Sequence, residues 1–154
     1  MNILEDIQKL EAFLPQLNAV NEDVSSQGVG WHIIHSMKVM NGILFVLAKS
    51  DPADYKKSMN FARTFVFKAG AIPRGQGKSP EAVVPTEDEL NEEAFYKYKE
   101  LTEKLIPKLE ALTDKNNFNH PVFGFLNKKD TFRFIEIHTE HHLKIIRDIV
   151  KVEA

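Results

Sequence analysis

The chain contains no cysteine, which excludes disulfides, thiolate-bound zinc and a cysteine nucleophile, so any thiol chemistry must use a thiol brought from outside. Basic blocks are missing as well. Twenty Lys and Arg stand against twenty-two Asp and Glu, and no run forms the stripe that phosphate backbones require, so nucleic acid is not an expected partner. Met1, Asn2, Ile3, Leu4, Glu5 and Asp6 lack the basic and apolar regions of a signal peptide. No later apolar run reads as membrane-spanning, and a soluble, cytoplasmic chain without membrane contact is expected. Strand signals are nearly absent: Ala82 to Val84 is the only short β-favouring run, and it lies between prolines.

What is present is helical punctuation. A chain of 154 residues suits one core, so a single domain over 1–154 is expected. Asn2 and Glu5 have capping-box spacing, and Ile3, Ile7, Leu10 and Leu14 recur at helical intervals, predicting a helix from Ile3 to Phe13 that Pro15 ends. Ser25, Ser26, Gln27 and Gly28 offer caps for a second, apolar-rich helix from about Val29 to Ala48. Ser50, Asp51 and Pro52 restart a helix through Lys68, carrying Met59, Phe61, Phe65 and Phe67, with Gly70 as its stop.

From Gly70 to Pro85 three Gly and three Pro, Gly77 among them, predict a long loop. Thr86 and Glu89 form a second capping box, opening a charged helix whose Leu90, Ala94, Tyr98, Leu101, Leu105 and Leu109 mark the inward stripe. Asn116 to Gly124 reads as irregular, and Asn127 and Asp130 cap a last helix to about Val152. The fold class is therefore all-α: an antiparallel four-helix bundle with one accessory helix and long connecting loops.

Chemistry concentrates in the histidines. His138 and His142 stand four residues apart on the last helix, one turn apart on one face, where two imidazoles can chelate an ion. On a wheel of about 100° per residue, Ile135, Ile145 and Ile149 share their side while Glu136, Lys144 and Arg147 fall opposite. His35 on the second helix shares a face with Trp31, Val39, Gly42 and Val46. Any one of these histidines alone reads best as a core imidazole bonded to a backbone carbonyl. Three on bundle-facing surfaces point instead to a divalent-metal site, with three neutral ligands and an open position. Zn and Ni are the first expectations for the ion, with Fe and Mn next.

Other residues attach to that site more loosely. His32, one turn before His35, is an alternative ligand or a substrate contact near the edge of the inward arc. His141 lies about 60° from His138, at the pocket mouth, and is the candidate acid or base; a surface-edge histidine is the plain alternative. His120, ahead of Pro121, Phe123 and Gly124, suits a turn with an aromatic plug better than a pocket role. Arg74 and Lys78 form a basic pair for an anionic substrate group, against the plainer reading of a solvated loop. Phe123, Phe125, Phe132 and Phe134 are assigned to packing.

The segments Trp31 to His35 and His138 to His142 resemble the DinB-like superfamily of metal-binding bundles over essentially the whole chain. More narrowly, the chain is similar to a branch of unknown function through Pro73 to Gly75, His120 to Gly124 and the closing His138 to His142 segment. The resemblance implies one ligand from the second helix and two from the last, which are His35, His138 and His142. Characterised relatives include thiol-dependent S-transferases and a mycothiol-dependent isomerase, which implies a low-molecular-weight thiol as a small-molecule substrate. Three functions therefore stand: a metal-dependent transferase or hydrolase; a non-catalytic metal-binding or stress-related interaction protein; and a metal-free bundle whose histidines form a buried polar network and whose exposed helix mediates homodimerisation.

Overall fold

The computed structural model describes residues 2–75 and 78–151; Gly77 of the loop and Val152, the expected end of the last helix, lie outside them. Five α-helices are present among the described residues: α1 (Ile3–Glu11), α2 (Val29–Lys49), α3 (Phe61–Ala69), α4 (Glu92–Glu110) and α5 (Lys128–Lys151). Between α4 and α5 runs one antiparallel hairpin, β1 (Asn117–His120) and β2 (Gly124–Asn127). The helical class is borne out at this coarse level, and the hairpin is its departure. α2 packs against both α4 and α5, while α1 and α3 pack against α5.

Capping chemistry sets the starts of α1 and α5 as expected. The Asn2 side chain accepts from Glu5 N at 3.4 Å and Asn127 Oδ1 accepts from Asp130 N at 2.8 Å, relieving first-turn amides that lack partners within a helix. α1 stops at Glu11 rather than Phe13: Pro15 has no N–H to give to the Glu11 carbonyl, and Leu14–Gln16 forms a 3-10 turn instead. No side chain from the Ser25 to Gly28 stretch caps α2. Its first amides are met by backbone: Val29 N donates to Ala19 O at 3.0 Å and Gly30 N to Leu17 O at 2.9 Å. A Cβ on Gly30 would stand 3.0 Å from that Leu17 oxygen, so glycine permits the approach that fixes where α2 begins.

Three expectations need correction. The helix after Pro52 lasts only the 3-10 turn Pro52–Asp54, and α3 starts at Phe61, where Asn60 caps Arg63 N at 2.8 Å. The Arg63 guanidinium donates to the carbonyls of Ser58, Phe123 and Phe125, and these tertiary bonds hold the chain before α3 open along the hairpin. Thr86 and Glu89 do not open α4. The pair opens only the 3-10 turn Glu87–Glu89, with Thr86 Oγ1 donating to Glu89 at 3.2 Å while Lys38 and Tyr98 bond the same carboxylate, each at 3.1 Å; α4 begins after Asn91, whose side chain caps Ala94 N at 2.8 Å. Along α4 the buried residues are Phe95, Thr102 and Leu109, while Leu101 is 41% exposed. The third correction is the hairpin itself, read as irregular from sequence. Gly124, at φ +71°, makes the left-handed turn residue, and Asn116 ties the approach to β1 by donating to Ser50 O at 2.9 Å.

α2 also overturns the reading that no segment reaches membrane-spanning length. Its 21 residues are long and apolar enough to cross a membrane by length and composition, yet 61% of its most apolar window is buried within the fold. Ile33, Ile34, Met37, Met40, Leu44 and Leu47 are fully enclosed, and apolar helices of this kind also occur as core helices. Gly42 and Val46, expected to share the inward face of His35, are exposed. Only the N-terminal half of α2 is covered on that side, by the 3-10 turn Glu81–Val83.

One buried charge sits awkwardly in this core. Asp6 is 6% exposed and its Oδ2 has no hydrogen-bond partner among the described residues; burial, opposed by Lys9 and reinforced by Glu136, raises its pKa to about 6. A carboxyl whose folded pKa is raised loses stability as it ionises, so Asp6 penalises the fold above about pH 6 and the penalty vanishes as pH falls towards the unfolded value. Asp6→Asn is expected to raise the melting temperature at pH 7.5, with a gain that shrinks towards pH 4. Thermal melts across that range check it; a pH-independent difference, or a destabilised variant at pH 7.5, would overturn it.

Candidate metal centre

All six histidines of the chain fall into one connected region, built from α2, α5 and the hairpin turn. The four-residue spacing on α5 lays His138 and His142 over each other with ring centroids 4.6 Å apart. His35 of α2 faces both, at 5.2 Å from His138 and 4.7 Å from His142. One ligand atom from each of His35, His138 and His142 lies within 4.8 Å of the others. Nitrogens around a tetrahedral zinc, at about 2.0–2.1 Å from it, stand roughly 3.4 Å apart, so a modest closing of the rings makes a first coordination sphere. The three expected ligands are thus brought together, and no carboxylate joins this group among the described residues.

Each ring is held by what surrounds it. His35 Nδ1 lies 2.9 Å from Val83 O; a carbonyl only accepts, so the proton is on Nδ1 and Nε2 carries the free lone pair. Trp31 stacks on the same ring at 4.6 Å and 14°. Phe134 packs beside His138 at 5.8 Å. His142 Nδ1 meets His32 Nδ1 at 2.8 Å, and His32 Nε2 in turn meets Ser25 Oγ at 3.0 Å. A cavity of about 200 Å³ has Trp31 in its wall, together with Leu17, Asn18, Val20, Gln27, Gly28, Gly30 and Leu90.

The electrostatics keep these rings neutral. Burial pushes His138 and His142 well below the usual histidine range, and neighbouring imidazoles push the same way. Burial also lowers His35, against a raising contribution from the Val83 carbonyl. His32 is lowered to about 4, by burial first and then by His35, His141 and Arg74. Neutral imidazoles are the form that binds metal, so the donor set fits a divalent ion.

The remaining candidates divide clearly. His32, an alternative ligand or substrate contact placed near the edge of the inward arc by the sequence, is buried and bonded to His142, with Ser25 Oγ on its other ring nitrogen. His141 is half-buried, edge-on to His142 at 4.9 Å, and donates from Nδ1 to Ile72 O at 3.0 Å. His120 closes the hairpin turn: its Nδ1 accepts from Val122 N and Phe123 N, both at 3.0 Å, and its ring stacks on Phe123 at 4.4 Å. Arg74 is paired with Asp148 at 2.7 Å, and Lys78 is exposed. Phe123 and Phe134 are buried and Phe125 and Phe132 partly so, the packing role assigned to them.

His120 gives a test of this environment away from the triad. Burial lowers its pKa from 6.5 to about 4. A base with a depressed folded pKa is protonated first in the unfolded chain, so its stabilising contribution is complete above pH 6.5 and is lost as pH falls towards 4. His120→Asn, which can still present an acceptor to the turn, is expected to lose less melting temperature than wild type between pH 7.5 and 4.5 in the presence of a chelator. Equal slopes for the two proteins would sink this assignment.

Comparison of the chain with family models, with curated proteins and with solved structures finds no significant match.

Proposed function

We propose that this chain is a DinB-like four-helix bundle, formed by α1, α2, α4 and α5 with α3 as the accessory helix, and that it is a metal-dependent enzyme. The observation that carries this is the convergence of three neutral imidazoles, His35, His138 and His142, from two helices onto one point. A structural site would normally be closed by four ligands; three leave a position for substrate. When bound, a divalent ion there supplies a Lewis acid that lowers the pKa of a thiol or water, which suits thiol transfer to an electrophile or hydrolysis.

The chain's own residues then have distinct tasks. The Val83 carbonyl fixes the tautomer of His35, and Trp31 walls the ring on its open side. His141, with its Nδ1 proton engaged by Ile72 O, keeps Nε2 free to take a proton from the incoming nucleophile. Hydrophobic neighbours limit water around the triad, which strengthens each charge interaction within it.

Purified protein equilibrated separately with Zn and Ni and then washed is expected to retain about one ion per chain. His35→Ala, His138→Ala and His142→Ala should each lose that ion. His141→Ala should keep it and lower turnover about 10²–10⁴-fold in a screen of thiols against electrophiles. No retained ion, or retention unaffected by the three ligand substitutions, would reject the site. Stoichiometric metal without turnover on any thiol or ester would leave a non-catalytic metal-binding protein.

A further inference from the structure

The contact between His32 and His142 joins two Nδ1 atoms at 2.8 Å in a buried setting. Two like nitrogens at that distance need one proton between them, carried by one ring and accepted by the other. Only two arrangements of neutral rings satisfy this. In the first, His142 carries its proton on Nδ1 and donates to His32, leaving the His142 Nε2 lone pair free; His32 then holds its own proton on Nε2 and donates to Ser25 Oγ, 3.0 Å away. In the second, His32 donates from Nδ1 and accepts from the Ser25 hydroxyl, and His142 carries its proton on Nε2.

The second arrangement is incompatible with ligation by His142. Its Nδ1 would be occupied by the bond to His32 and its Nε2 by a proton. Ser25 Oγ already accepts from Gln27 N at 3.2 Å, so the loop holds the hydroxyl in place for either arrangement. His32 itself does not belong to the group of three whose ligand atoms converge.

Resting on the metal-site reading above, we propose that His32, anchored by Ser25, is a positioning residue that accepts the Nδ1 proton of His142 and thereby selects the tautomer in which His142 Nε2 binds the ion. The line runs from the ion position through His142 and His32 to Ser25 on the segment before α2. Partners that hold the second nitrogen of a metal-bound histidine typically change metal affinity about 10–100-fold when removed. The unusual element is that this partner is a second imidazole, which can itself exist in the wrong tautomer, so Ser25 has a role as well.

The test uses zinc affinity of the full chain, measured by competition with a chromophoric chelator, together with long-range ¹H–¹⁵N imidazole spectra of the zinc-loaded protein. His32→Leu removes the acceptor and is expected to weaken zinc binding about 10–100-fold while stoichiometry stays near one. His32→Asn, whose Oδ1 can take the place of the ring Nδ1, is expected to stay within about threefold of wild type on the same reasoning. Ser25→Ala should fall between. The spectra should show His142 protonated at Nδ1 and His32 protonated at Nε2. Wild-type-like affinity in His32→Leu, equal losses in Leu and Asn variants, or a His32 proton found on Nδ1 would overturn the inference while leaving the triad intact. A wild-type chain that binds no zinc would instead remove the metal-site reading itself.

Discussion

Burying imidazoles between α2 and α5 imposes the constraint on which the rest of this structure depends. A neutral imidazole has one N–H and one lone pair, and a buried polar atom left without a partner costs about 1–3 kcal/mol. Helix carbonyls are largely engaged in their own ladder, and beyond the bond between His32 and His142 the two helices give these rings no further hydrogen bond among the described residues. The irregular segments supply them instead. Val83 O takes the proton of His35, Ile72 O that of His141, and Ser25 Oγ meets the outer nitrogen of His32. The courses of the Gly/Pro-rich loop and of the segment before α2 are thus tied to the histidines they serve.

This coupling also explains why α2 is so apolar. Its N-terminal half is enclosed by α5, α4 and the Glu81–Val83 turn together, so a one-sided stripe would leave polar groups stranded. Lys38 escapes by leaning outward to Glu89 at 3.1 Å and to Val84 O at 3.3 Å, which pins the same loop from a second point. Beyond Asn41, where the loop has passed, α2 returns to an amphipathic pattern with Phe45 and Val46 exposed. The change of pattern along one helix records where its covering ends.

Much of this was legible in sequence where local chemistry decides. The caps at Asn2 and Asn127, the stop at Gly70 with φ +65°, and the triad spacing all follow from short-range rules. What escaped was decided by distant partners. Thr86 and Glu89 remain bonded but start only a 3-10 turn, with Glu89 shared with Lys38 of another helix. The helix after Pro52 failed because Arg63 bonds to the hairpin carbonyls. The hairpin was hidden by polar strand residues, Asn117 and Asn119 facing Asn127 and Phe125, whose pairing is stabilised by the Ser50 and His120 bonds rather than by β-propensity. The full burial of His32 and its bond to Ser25 were not legible, because a helical wheel knows the helix but not the loop that folds over its flank.

The same accounting bears on what such a site would attract. Arg74, the basic residue of the loop placed beside His141, is paired with Asp148 at 2.7 Å, which offsets part of its charge, although that charge still reaches His141 and His32. The triad is imidazole only, and neutral ligands leave a divalent ion its whole charge. Under the proposed reading the strongest attraction for an anion therefore comes from the ion itself, with Arg74, Lys38 and Lys144 adding a more distant positive contribution. That favours a nucleophile that becomes anionic at the ion, a thiolate or hydroxide, over a substrate recognised by a separate basic pocket. Selectivity for the remainder of the substrate then falls to the rings that border the triad, Trp31 on His35 and Phe134 beside His138.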